Sequence, residues 1–348
     1  MNLPAIDTPY FLRFLTDLLN IPSPTGYTEK AIEFVEKEIS QFPGITCQQT
    51  RKGGLVVRWQ GQQDDHPCAL TAHVDTLGAM VKEIKSNGRL KLSKLGGFAW
   101  NTVEGEGCRV ITRTGGIVSG VLLLTKASAH VHGQATGENK RDDENMEVRL
   151  DIVSSNADDT ARVGIQVGDF VAFDPRVEVV NGFIRSRHLD DKACVANLVS
   201  AVKSITDAGL KPKQTTYFLI SNYEEVGHGA STGIPETVEE LVAVDMAAVG
   251  EGQTSHEQFA SICVKDSGGP YHHALSNRLR DLADQYKIPY KVDIYPFYGS
   301  DGEAFWRAGG DVRLALIGPG VDASHNYERT HLDGLLATTN WVMAYLVG

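Results

Sequence analysis

In residues 1–75, and again from 186 to 348, apolar runs at helical spacing alternate with apolar strand-like runs; in the block between them they do not. TPYFLRFLTDLLN and TEKAIEFVEKEISQF have helical spacing, with Thr28 placed to cap the second, and GLVVRW and CALTAHVD read as strands. Beyond 186 the spacing predicts a helix over 190–208, a strand at TTYFLIS, a helix at PETVEELV and a strand at AVDMAAVG. A helix over 271–287, a strand at VRLALIG and a helix over 332–346 follow. Residues 76–185 carry short β runs broken by Gly and Asn, with Asn-Gly pairs at 87–88 and 181–182 that signal hairpins. Nearly continuous apolar strands must be covered on both faces. The expected fold is therefore α/β, with residues 1–75 and 186–348 forming one discontinuous domain and 76–185 a smaller inserted β domain.

Composition narrows the function classes. The 348 residues carry a formal net charge of -11 and show no basic patch, which argues against nucleic acid as a partner. No run approaches the length of a membrane span, and the N-terminus lacks a basic region and a cleavage site of the secretory kind. The five cysteines, at 47, 68, 108, 194 and 263, are scattered and form no CxxC. That pattern fits reduced thiols in a cytoplasm and disfavours a thiolate zinc site. The charged run GENKRDDENME at 137–147 reads as a solvated loop.

Acids and histidines cluster where apolar strands end. ALTAHVD delivers His73 and Asp75, YFLISNYEEVG delivers Glu224 and Glu225, LVAVDMA holds Asp245, and LALIGPGVDASHNYE leads to His325. Ligands of open α/β sheets bind beyond the carboxyl ends of the strands. HLDDK adds Asp190 and Asp191 at the head of an apolar helical run. One Asp suffices as a helix cap. A second has a purpose if the pair serves metals: one carboxylate bridges two cations while its neighbour orients a ligand imidazole. Two histidines and several carboxylates, without cysteine, suit zinc, cobalt or manganese.

The order H-x-D, L-D-D-K, E-E-V-G, V-D, H-x-x-E resembles the co-catalytic metallo-aminopeptidases, and most closely the tetrahedral or glutamyl aminopeptidase family, metallopeptidase family forty-two. AHVDTLGAMV, LGGF…GEGCRV…GGIVSGVL, VGDFVAFDP, NGFIRSRHLDDK and YGSDGEA extend the likeness over nearly the whole chain. The resemblance implies a mixed-sheet α/β/α catalytic domain of zinc-exopeptidase type and an inserted β-barrel-like domain for dimerisation and substrate access. It also implies two divalent cations per subunit, Zn2+ or Co2+ or else Mn2+. His73 and Asp245 would bind one, Glu225 and His325 the other, and Asp190 both, joined to Asp191 by a cis peptide. Glu224 would be the general base, with Asp75 in support, and His228, Gly299 and Asp301 would meet the substrate. The implied substrate is a short peptide, and the implied assembly a homo-oligomer, with dimers building a tetrahedral dodecamer. SNYEEVG and SHNYE depart from the commoner T-Q-E-E-V-G and H-S-P-x-E, and His188 stands where a small residue is usual; these neighbours of the ligands bear on substrate preference.

KDSGGP at 265–270 resembles the nucleophile motif of chymotrypsin-like proteases. That fold is all-β, whereas here the motif leads into the helical YHHALSNRLRDLADQY, so it reads as a turn, with His272 and His273 in a solvated first helical turn. Two other readings stay open: a di-metal amidohydrolase for a blocked small peptide, and a peptide-binding protein without turnover.

Overall fold

The computed structural model describes residues 2–348. They form two compact units, one comprising the chain up to Asp75 together with Arg176–Gly348, the other Thr76–Pro175.

The larger unit is built on a 12-stranded mixed sheet. Its centre is parallel: Gln214–Ser221 lies beside Gln63–His73, which pairs Glu240–Val244, which pairs Arg313–Asp322. Antiparallel strands extend both margins, Leu55–Trp59 and Ile45–Gln49 on one side and Glu328–His331, Phe183–Ser186 and Glu178–Val180 on the other. Alternate residues of the central strands enter two separate cores. Leu70, Ala72, Val242, Val244, Ala315 and Ile317 pack with the helices Thr8–Leu19, Leu189–Asp207 and Leu332–Val347. Ala69, Leu241, Ala243, Leu314 and Leu316 face the opposite way, with Tyr271 and Tyr295. Period-2 alternation with both phases apolar is what a sheet covered on both faces requires. This is the α/β/α architecture expected.

Three local expectations change. PETVEELV is not a helix; Glu240–Val244 is a fully buried strand. Its helix-forming glutamates are outweighed by the strand slot between two parallel neighbours, where each residue from Leu241 to Val244 is buried. Residues 178–185, expected in the inserted domain, belong to the large sheet: the Asn181-Gly182 pair makes a hairpin at φ 51° and 81°, and its second strand pairs Glu328–His331. Thr28 stands at the N-cap of Glu29–Ile39, but its hydroxyl donates to the Gly53 carbonyl at 3.4 Å and makes no cap.

The smaller unit is a closed six-stranded barrel in the order Gly78–Ile84, Leu90–Leu95, Met146–Leu150, Ile117–Leu124, Gly107–Ile111, Phe170–Phe173. Val81, Leu92, Val110, Leu122, Val148 and Val171 fill it. The charged run is exposed only in part. Met146 and Glu147 enter a strand, and the Glu147 carboxylate, 1 % exposed, takes Lys85 at 2.8 Å and also Arg89.

Candidate active site

His73 closes its strand, and Ser221, the last residue of the neighbouring parallel strand, is its register partner. Asp75 and the pair Glu224–Glu225 therefore leave the sheet side by side. Asp245 follows Val244 on the other side of the same central strand, between Glu240–Val244 and Ala247–Val249. The Asp245 backbone passes close to Gly318, where a Cβ would fall 1.7 Å from the Asp245 carbonyl oxygen. His325 lies in the turn after Arg313–Asp322. The strand carboxyl ends thus deliver six of the expected residues to one edge.

The donor atoms there converge. His73, Asp190 and Asp245 form one group, and Asp190, Glu225 and His325 a second, with ligand atoms within 4.8 Å of one another in each. Asp190 is common to both: its Oδ1 lies 3.2 Å from His73 Nε2 and its Oδ2 3.4 Å from His325 Nε2. Glu225 Oε2 is 3.6 Å from His325 Nε2, and Glu224 Oε2 is 3.6 Å from His73 Nε2.

The Asp190–Asp191 peptide is cis, both residues have non-helical backbone, and the regular helix begins only after them. Asp191, fully buried, accepts the His73 backbone N–H at 3.2 Å, so it fixes the strand end and not the imidazole. The imidazole is set by Asp75, whose carbonyl oxygen lies 2.9 Å from His73 Nδ1.

The electrostatics of the site suit positive charge. Burial, then the charge of Asp190, pushes Glu225 up to about 8, and the same causes push Asp245 up to about 8. Burial, then Asp245, Asp301 and Glu225, raises Glu224 well above the ordinary carboxylate value against the pull of His73. Burial would lower His73, but hydrogen bonding to Asp190 and Asp75 outweighs it and holds the imidazole well above its usual value. Glu225 Oε1 is buried and no hydrogen bond satisfies it. Buried carboxylates in mutual repulsion, one of them with an unsatisfied oxygen in the group it forms with Asp190 and His325, fit divalent cations, and the nitrogen and oxygen donors are those zinc, cobalt and manganese accept.

Beside these groups opens a cleft of about 380 Å³, lined also by Met246, Phe297, Tyr298, Gly299, Ser300 and Arg307. His228 is exposed and does not line the cleft; its carbonyl accepts from Lys52 Nζ. Asp301 is 2 % exposed and turns inward, accepting from Ser221 Oγ at 2.7 Å and from Thr71 Oγ1. It braces the two strand ends and does not reach the cleft, because its carboxylate needs those donors once buried. The KDSGGP segment is a turn, as expected, and it holds the cleft wall: Ser267 N–H donates to the Tyr298 carbonyl at 3.3 Å, as does its hydroxyl. His272 is the N-cap of His273–Tyr286, its ring accepting from Leu275 N–H at 3.4 Å.

Sequence reasoning assigned no part to Thr25, Lys52 or Glu328. Thr25 Oγ1 donates to Asp75 Oδ2 at 2.7 Å, and Lys52 Nζ ties down the loop after Glu225 through Gly229 O and through Ser231 Oγ at 2.9 Å. Only Glu328 left a signal, the final acid of H-x-x-E. A larger cavity, of about 460 Å³, lies at the other ends of the central strands, by Cys68, Thr216, Glu240 and Arg313. Its charges pair with one another, Arg278 and Arg313 on Glu239 and Glu240.

A mixed sheet covered by helices, with histidines and carboxylates gathered at its carboxyl edge, defines a hydrolase of the metallo-exopeptidase class. Residues 53–340 match the profile of the M42 glutamyl aminopeptidases, and the chain belongs to that family. It is 47% identical over 336 residues to the Bacillus subtilis (strain 168) protein named "Putative aminopeptidase YhfE", covering 96% of each chain. It is 25% identical to the glutamyl aminopeptidase of Lactococcus lactis subsp. cremoris over 94% of both. Among solved structures, the Pyrococcus horikoshii TET1 peptidase, described as assembling into a tetrahedron or a large octahedral shell, superposes with a TM-score of 0.84 at 22% identity over 97% of this chain and 99% of that one.

Proposed function

We propose that this aminopeptidase removes N-terminal residues from short peptides by metal-assisted hydrolysis, with two divalent cations and Glu224 as general base. The observation that carries the reading is the sharing of Asp190 between two donor groups, with the Glu224 carboxylate 3.6 Å from His73 in the first of them. His73 and Asp245 would hold one cation, Glu225 and His325 the other, and Asp190 both. When bound, such cations acidify water and polarise a carbonyl oxygen. Glu224 takes the proton of the attacking water and returns it to the leaving amine. Asp75 holds the base in place, and the wall around Gly299 and Ser300 confines the peptide.

The test is a chelator-stripped enzyme reloaded with Zn2+ or Co2+ and assayed on short peptides in matched pairs, with free and N-acetylated termini. Metal-dependent release of the first residue from the free peptides alone is expected. Cleavage of only the blocked peptides would move the enzyme to a deblocking activity on the same site.

Assembly is part of the same reading. The fold is shared with a TET peptidase whose description names tetrahedral and octahedral shells, which supports a homo-oligomer here, with the barrel as its dimerisation and access element. Light scattering that returns a monomer at assay concentration would end that part.

A further inference from the structure

Glu328 is a fully buried carboxylate to which the proposed chemistry gives no task. Its two oxygens are divided between two backbone donors. Asp190 N–H donates to Oε2 at 3.0 Å, and His325 N–H donates to Oε1 at 3.2 Å. We propose that Glu328 is a positioning residue that ties the shared carboxylate Asp190 to His325 and thereby secures the second metal position, the one formed with Glu225. This inference rests on the two-cation reading above.

The two positions differ in how firmly the chain holds them. His73 ends a central strand, is 1% exposed, and has its own backbone N–H bound by Asp191. Asp245 has its backbone N–H bound to the Ile317 carbonyl at 3.0 Å. His325 has a side chain 40% exposed and sits in a turn where Ala323 and His325 both take left-handed backbone, at φ 57° and 62°. Alanine does not favour that region, so the turn needs an outside constraint to persist. Glu328 supplies one. It opens the strand Glu328–His331, and Ser186, its register partner, stands four residues before Asp190. A single buried side chain thus joins the turn bearing His325 to the segment bearing Asp190.

An ionised carboxylate accepts both N–H groups at once. Gln keeps the volume but offers one oxygen, so one N–H then faces an amide NH2. The exposed turn gives way before the strand end does, and His325 loses its aim while His73 and Asp245 keep theirs. Supports of this kind change metal affinity by about 10- to 100-fold.

The experiment titrates Co2+ into the chelator-stripped full-length protein, followed by calorimetry and visible absorption, for wild type, Glu328→Gln and His325→Ala. Expected are two equivalents for wild type. For Glu328→Gln, the tighter equivalent should stay within about threefold of wild type and the weaker should lose about tenfold or more, with a profile resembling His325→Ala. Equal weakening of both equivalents, or of neither, overturns the inference. If circular dichroism shows Glu328→Gln unfolded, Glu328→Asp is read the same way. It keeps the charge but is one methylene shorter and reaches one of the two N–H groups, so it must show the same selective loss. A wild-type chain that takes a single equivalent would instead remove the two-cation reading, and the inference with it.

Discussion

The backbone N–H of Glu224 donates to Asp75 Oδ1 at 3.2 Å, while Thr25 Oγ1 donates to Oδ2 of the same carboxylate at 2.7 Å. Asp75 therefore fixes the proposed base through its main chain. In Asp75→Asn one oxygen becomes a donor facing another donor. We expect kcat to fall by about 10²-fold with KM nearly unchanged, the mark of lost alignment in the transition state. Steady-state kinetics on one free-amine peptide would check it, and a rise in KM alone would contradict it.

Glu224→Gln removes the base but leaves every other donor in place. Turnover should drop by about 10²- to 10⁴-fold, while metal content by elemental analysis matches wild type. Near-normal turnover in a metal-loaded variant would sink the assignment.

Stripping the cations should leave a folded but less stable protein, since the acids around Asp190 then repel one another without compensation. At a hundredfold excess over Kd, one cation adds about 2.7 kcal/mol to folding stability. Thermal unfolding with and without Zn2+ measures this, and equal midpoints would argue against a metal at the site.

Arg307 is the one Lys or Arg among the residues that line the cleft, and it is 3.4 Å from Glu303. Burial, then hydrogen bonding with Asp266, pushes Glu303 up to about 7. That weakens its claim on the guanidinium. Arg307→Ala should lower kcat/KM for peptides with an acidic first residue relative to apolar ones, by up to about fivefold for so exposed a charge. An unchanged ranking would mean that Arg307 does not meet the side chain.

In the barrel, burial works to raise Glu147, but hydrogen bonds from Lys85 and Arg89 outweigh it and hold its carboxyl below the usual range. A folded value below the unfolded one makes the contribution complete above the ordinary carboxylate range. It is lost as the pH falls through the folded value. Wild type should therefore exceed Glu147→Gln in denaturant midpoint at neutral pH, and the gap should narrow in acid. A gap that widened would reverse the sign.

How much of this was legible beforehand follows from what each residue depends on. His73, Glu224, Glu225, Asp245 and His325 follow apolar strands, and a polar group at such an end stands out in a single sequence. Asp190 and Asp191 stood out because two acids head an apolar helical run that one would cap, though their backbone geometry did not: nothing in LDDK announces that the regular helix starts only after both. PETVEELV misled because its residue types favour a helix, while its neighbours in the sheet lie far along the chain, at 68–71 and 313–317. Asp301 and His228 were misplaced because the direction of a side chain depends on packing that no spacing encodes.

The strand Glu240–Val244 has a consequence for how the chain is made. Its partner on one side, Gln63–His73, is synthesised long before it, and its partner on the other, Arg313–Asp322, well after. Until that later strand leaves the ribosome, an apolar strand presents an open edge to every other nascent chain nearby, the situation that invites aggregation. His325 follows only three residues later, so the last ligand and the strand that seals the edge arrive together. A chain cut short before residue 313 would have neither, and it would meet the cell's folding machinery as an unfinished sheet and not as an apoenzyme.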